Sequence, residues 1–296
     1  VAEPATDATG PARRALRCGF VLPGGTATEQ VELAVLAEET GWDGVFVWEC
    51  AYGVDAWSLL AAIAVRTHRV RVGTLLTPLP WRRPWKVASQ VATVDQLSGG
   101  RAVLGVGLGA LSDDLPLTGE VTELAPRAER LDEGIDLIRA LWAGETSYHG
   151  RHFDYAGELA GELSAMAQPV QRPIPIWVVG LWPRPKSLRR VLRCDGVVAQ
   201  YEDGGSPAKA RALRRWLDDA GADRLDLIAE GETPANDPAA AAALVAPWSD
   251  AGCTWWLETR WEMPHHGPER LAEVRERLGA GPPVPSAADA HAREDR

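Results

Sequence analysis

The chain has 296 residues, with 31 Lys and Arg against 41 Asp and Glu, and a formal net charge of -10. That balance argues against a nucleic-acid partner, because phosphate binding needs clustered Lys and Arg. Hydrophobic residues make up 46% and charged residues 24%, the profile of a globular enzyme with one large core; no apolar run reaches the ~20 residues of a bilayer span.

Residues 1–16 are polar, carry no apolar leader segment, and read as a flexible N-terminal segment of a cytoplasmic protein. From residue 17, short apolar β-branched runs alternate with helical patterns eight times. Predicted strands are Arg17–Leu22, Gly44–Trp48, Val70–Leu76, Ala102–Gly107, Ile174–Val179, Gly196–Gln200, Leu225–Glu230 and Thr254–Leu257. Continuous apolar runs of this kind suit strands buried on both faces. The intervening helices are predicted over Glu29–Thr40, Ala56–Thr67, Trp85–Leu97, Arg127–Trp142, Ser187–Arg193, Ala208–Ala220, Pro238–Asp250 and Glu269–Leu278. Gly41, Gly99, Gly221 and Gly252 stand where helix-ending glycines belong. Between the fourth and fifth strands, residues 146–155 predict a small hairpin around His149–Gly150–Arg151. Residues 279–296 form a Pro-Ala-charged tail too poor in apolar residues to pack.

Strict alternation gives an open doubly wound sheet or a closed barrel. Eight units within 17–278 favour the (β/α)8 TIM barrel, with a small insertion between strands four and five. Cys18, Cys50, Cys194 and Cys253 show no C-x-x-C or zinc spacing, and are expected to be reduced thiols.

In such a barrel the reactive groups lie at the C-terminal strand ends. Trp48, Trp81, Trp85, Trp182, Trp256 and Trp261 fall there as candidate walls for a planar ligand, whereas Trp42, Trp142, Trp177 and Trp216 are expected between barrel and helices. After strand five, Gly180 permits close backbone approach, the next helix offers its N-terminus to an anion, and Lys186 or Arg184 adds charge. Gly105-Val-Gly-Leu-Gly109 is not followed promptly by a helix, so it is not a dinucleotide fingerprint.

Gly73-Thr-Leu-Leu-Thr-Pro-Leu-Pro-Trp-Arg-Arg-Pro-Trp-Lys86, Val94-Asp-Gln-Leu-Ser-Gly-Gly-Arg101 and Val103-Leu-Gly-Val-Gly-Leu-Gly109 together resemble the core signature of luciferase-like monooxygenases. The resemblance extends from Cys18 to Leu278. It implies a barrel mouth that binds FMN or the deazaflavin coenzyme F420, with the ring against Trp48, Thr74, Leu75 and Gly107. It places the phosphate near Gly180, Leu181 and Trp182. Asp95 and Arg101 read as structural, tying a helix end to the next strand. Many members carry a His just after strand two; here the residues are Trp48-Glu49-Cys50. Glu49 and Glu258 are the candidates for proton handling.

Glu49, Glu202, Asp203, Glu230, Glu232, Glu258 and Glu262 all fall near strand ends. Such an acidic rim would repel the glutamate tail of F420, which favours FMN. The expected activity is then a monooxygenase using reduced FMN and O2 on a small molecule, with a separate flavin reductase. The alternatives are a deazaflavin-dependent hydride-transfer enzyme and a non-catalytic flavin binder. The resemblance implies that such barrels commonly pair, so a homodimer is one arrangement open to this chain.

Overall fold

The computed structural model describes residues 14–111, 119–156, 166–261 and 268–283. The helical and strand periods of the sequence place the elements in this order: β1 (Arg17–Val21), α1 (Ala27–Glu39), β2 (Gly44–Val47), α2 (Ala56–Arg66), β3 (Arg71–Thr74), β4 (Thr77–Pro78), α3 (Pro84–Ser98), β5 (Ala102–Gly107) and α4 (Leu124–Trp142). There follow β6 (Ser147–His149), β7 (Asp154–Ala156), β8 (Ile176–Trp182), α5 (Pro185–Val191), β9 (Gly196–Tyr201), α6 (Pro207–Asp219), β10 (Asp226–Gly231), α7 (Pro238–Asp250), β11 (Trp255–Glu258) and α8 (Pro268–Gly279). Strands β1, β2, β3, β5, β8, β9, β10 and β11 pair in parallel in that circular order. The ring closes between β11 and β1, giving the expected (β/α)8 barrel. β4 resumes the third strand after the cis Leu75–Leu76 peptide and pairs with β5. The predicted hairpin is β6–β7, with His149 opposite Asp154.

Helix starts are fixed locally. Thr26 and Glu29 form a reciprocal capping box on α1, and Asp55 accepts from the Ser58 N–H at the start of α2. Gly99, at φ 66°, ends α3 in the left-handed conformation. Arg101 follows, and its guanidinium donates to the carbonyls of Ala64, Thr67 and Val70. Asp95 accepts from the backbone N–H groups of Val170 and Gln171 at 2.7 and 2.9 Å. Both residues are structural, as expected, but each clamps a different segment.

Alternation along the strands divides the apolar residues into two sets. One set packs between barrel and helices. There Trp42 donates to the Leu278 carbonyl, Trp142 to the Ala88 carbonyl, and Trp182 meets Trp216 edge-on. The other fills the bore: Val21, Phe46, Leu75, Val103, Trp177, Val198, Ile228, Trp255 and Leu257. Trp177 therefore departs from its expected place outside the strands. Its ring stacks on Phe46 at 5.2 Å and meets Trp255 edge-on at 5.2 Å. The room comes from missing side chains. A Cβ on Gly196 would lie 2.4 Å from the Trp177 ring, and one on Gly19 would lie 2.8 Å from Phe46.

The packed unit is slightly longer than the expected 17–278. Arg14 pairs with Asp226, Leu16 is buried, and Arg277 donates to the Gly281 carbonyl. The remainder of the expected flexible ends, 1–13 and 284–296, lies outside the described residues. Among the described residues no helix is long and apolar enough to cross a membrane. All four cysteines are free. Burial pushes the Cys194 and Cys253 thiols up to about 12, which keeps them protonated.

Gly196→Ala should overpack the bore against Trp177 and cost about 1–3 kcal/mol, read as a lower urea midpoint. Adding Trp177→Leu should recover part of that loss, whereas two independent losses would refute the plug.

Candidate active site

The bore plug is the floor of the site, and the next inward-facing layer lies at the C-terminal strand ends. Register identifies its members. Trp48 follows Phe46 in alternation and packs on the bore cluster with Val179. Val198 pairs with Val179 and with Ile228, so two residues on, Leu181, Gln200 and Glu230 share the inner face. Leu75 completes the wall from β3. Gly107 is inward too, but a Cβ there would lie 2.7 Å from Leu76, whose side chain already covers it.

Other expected contacts point elsewhere. Thr74 is fully buried, and its hydroxyl donates to the Gly105 carbonyl at 2.9 Å. A Cβ on Gly180 would meet Val197 and Val191 at 2.6 and 2.8 Å. Gly180 thus serves close packing of α5 on the barrel, not approach of an anion. Trp182 lies on the helix side with Trp216, and Trp256 is buried against Trp248 of α7. Trp85 packs on Phe153 and Tyr155 of the insertion. Trp81 donates to the Val121 carbonyl and sits under Arg127. Of the loop tryptophans, Trp48 and Trp261 are left at the mouth.

The two expected proton handlers differ. Glu258 follows the inward Leu257, so its side chain points out toward α8 and is fully buried. It accepts from the Thr233 N–H at 2.7 Å, the Thr233 hydroxyl at 2.8 Å, Trp256 Nε1 at 3.2 Å and Arg260 at 2.8 Å. Arg277 Nε lies 3.5 Å away. A carboxylate so enclosed locks β10, β11 and α8 together; it has no route to a reacting group, and the expectation for Glu258 is corrected accordingly. Glu49 is 8% exposed and forms an ion pair with Arg82, which also donates to Gln90 at 2.8 Å. Its Oε2 is buried and has no hydrogen-bond donor among the described residues. A buried acceptor without a donor is costly, and a bound ligand N–H or O–H would satisfy it.

Glu230 was visible in the sequence only as one more acidic strand end. Its carboxylate accepts from Gln200 Nε2 at 3.1 Å and from Trp261 Nε1 at 3.2 Å. Burial pushes its pKa up, and the two donors offset this in part. The signal that could have found it is parity: it stands two residues after Ile228 on an inward strand face.

Beside the mouth, a cavity of about 1090 Å³ opens between α4 and α5 and reaches the barrel at Leu108 and Leu181. Arg184, Lys186, Arg189, Arg190 and Arg193 line it, against Glu129 and Asp132. Arg190 holds Asp132 through two hydrogen bonds, Arg193 pairs with Asp136, and Arg184 pairs with Glu202. Among the described residues, no ion pair engages Lys186 or Arg189. The Ser187 hydroxyl accepts the Leu181 N–H at 2.9 Å, which leaves its own proton to donate. The acidic rim expected from the sequence is therefore interrupted by a cationic bay. Glu262 lies outside the described residues.

Residues 12–296 match the model of the luciferase-like monooxygenase family. A putative coenzyme F420-dependent oxidoreductase of Mycobacterium tuberculosis is 34% identical over 197 residues, which is 64% of this chain and 54% of that protein. An F420-dependent glucose-6-phosphate dehydrogenase of Amycolatopsis mediterranei is 36% identical over 159 residues, 50% of this chain and 46% of the relative. The chain thus spans about half the length of these curated relatives. A monooxygenase from Streptomyces bottropensis has the same fold, with a TM-score of 0.71 at 20% identity over 90% of this chain and 98% of that one.

Glu258→Gln should cost about 3–5 kcal/mol of stability, because it leaves Arg260 and Arg277 buried beside a neutral partner. Urea unfolding of the ligand-free protein checks this; a loss below ~1 kcal/mol would contradict the locking role.

Proposed function

We propose that this chain, an oxidoreductase that belongs to the luciferase-like monooxygenase family, uses the deazaflavin coenzyme F420 to move hydride to or from a small organic substrate. The observation that carries this reading is the cationic bay beside the mouth. FMN ends at its phosphate, whereas the F420 side chain continues from a phosphate into glutamates, and an anionic chain of that length needs more than one positive contact. Lys186 and Arg189, with no ion pair among the described residues, are suited to receive it. Counting acids at strand ends favours FMN, but the cations of the bay offset those acids where the tail would lie. Relatives named for F420 support the same choice.

The site's residues fit a planar ring. Trp48, Leu75 and Leu181 form apolar walls above the plug, which exclude water from the reacting face. The free oxygen of Glu49 offers an acceptor for a ring N–H, and Arg82 holds that carboxylate in place. Lys186, Arg189 and the Ser187 hydroxyl would hold the phosphate and the tail. When bound, a deazaflavin supplies two-electron hydride chemistry at a ring carbon, where oxygen activation is disfavoured. A separate flavin reductase belongs to the monooxygenase alternative and has no part in this one.

The test is a charge reversal. Lys186→Glu with Arg189→Glu should weaken F420 binding about 10- to 100-fold, equal to ~1.4–2.8 kcal/mol, and weaken FMN binding much less. Tryptophan-fluorescence titration at fixed salt reads both. Equal losses for the two cofactors, or none, would refute the assignment of the bay to the tail.

A further inference from the structure

We infer that Glu230 is the carboxylate that exchanges a proton with the substrate at the reacting centre; this deepens, and rests on, the hydride-transfer reading. The geometry supports it in three ways. Glu230 is on the inner face of β10, in the same layer as Leu181 and Gln200 and directly above the apolar plug. Each of its oxygens accepts one hydrogen bond, from Gln200 or Trp261. A carboxylate has about four acceptor positions, so capacity remains for a substrate hydroxyl. Gln200 and Trp261 are themselves exposed, which places the carboxylate at the open side of the barrel.

Among the described residues, the groups around it leave its charge uncompensated. β9 contributes the neutral Gln200, β11 contributes Leu257, and the segment after β11 contributes Trp261. Arg260 is turned to Glu258 and approaches Glu232 at 3.5 Å. Glu49, the other carboxylate of the mouth, is held in an ion pair with Arg82. An ion pair stabilises the charged form, so Glu49 is suited to holding a ligand and Glu230 to carrying a proton. In the oxidative direction a Glu230 oxygen would take the hydroxyl proton of an alcohol as the O–H electrons form the C=O bond, and a bound oxidised deazaflavin would supply the acceptor for the C–H electron pair as hydride. The reverse reaction returns both.

Trp261 provides a readout independent of turnover, because its indole N–H is bonded to this carboxylate. The protein, uniformly labelled with nitrogen-15, would be titrated from pH 4 to 9 without ligand, and Trp261→Phe would identify the resonance. The indole signal should move with a midpoint above the ~4.3 of a free Glu, and the step should vanish in Glu230→Gln. With F420 bound, the midpoint should rise further, because the ring would take water away from the carboxylate and disfavour its charged form. A midpoint at or below the ordinary value, a step that survives Glu230→Gln, or a midpoint unmoved by bound F420 would overturn the inference. Failure of F420 to bind the unmodified protein would instead strike the cofactor reading, and the ligand-free step would still decide whether Glu230 is poised to take a proton.

Discussion

The structure depends on an aromatic plug. Phe46, Trp177 and Trp255 fill the lower bore of an eight-stranded ring because Gly19, Gly44 and Gly196 leave them room. Once those rings are in place, side-chain alternation fixes which residues of the next layer face the mouth. Trp48, Leu75, Leu181, Gln200 and Glu230 are inside, while Thr74, Gly180, Trp182 and Glu258 are outside. A one-residue slip of any strand would exchange these sets. The plug therefore sets the floor of the site and its chemical lining together.

Above that floor the charges are sorted by role. Glu258, Arg260 and Arg277 are buried together and hold the last strands to α8. Glu49 and Arg82 form a second pair, with one oxygen of Glu49 left open. Among the described residues, Glu230 has only neutral donors. The cations gathered on α5 face a separate bay. A net charge of -10 thus coexists with a locally cationic bay, because the field at any point is set by the nearest groups when the Debye length is only ~8 Å.

The fold was legible in the sequence because eight buried parallel strands leave eight apolar runs at βα spacing. The insertion hairpin was legible from His149–Gly150–Arg151 between two short strands. The site was less so. Strand-end position and the family resemblance point to residues near the mouth, but neither gives facing. Trp177 and Trp256 exchanged sides relative to expectation for that reason. Glu258 and Glu230 look alike as acidic strand ends, and parity from Leu257 and Ile228 is what separates them. The cationic bay needed the tertiary structure, since its Glu129 and Asp132 come from α4 and its cations from the turn and helix after β8.

If the cationic bay receives the F420 tail, this barrel should prefer the deazaflavin to FMN, and comparative binding measures that preference. Purified protein would be titrated with F420 and with FMN, each oxidised and reduced, under identical salt. F420 should bind at least about tenfold more tightly than FMN, a difference of ~1.4 kcal/mol. Tighter binding of reduced FMN would contradict it and return the chain to the oxygen-using side of its family.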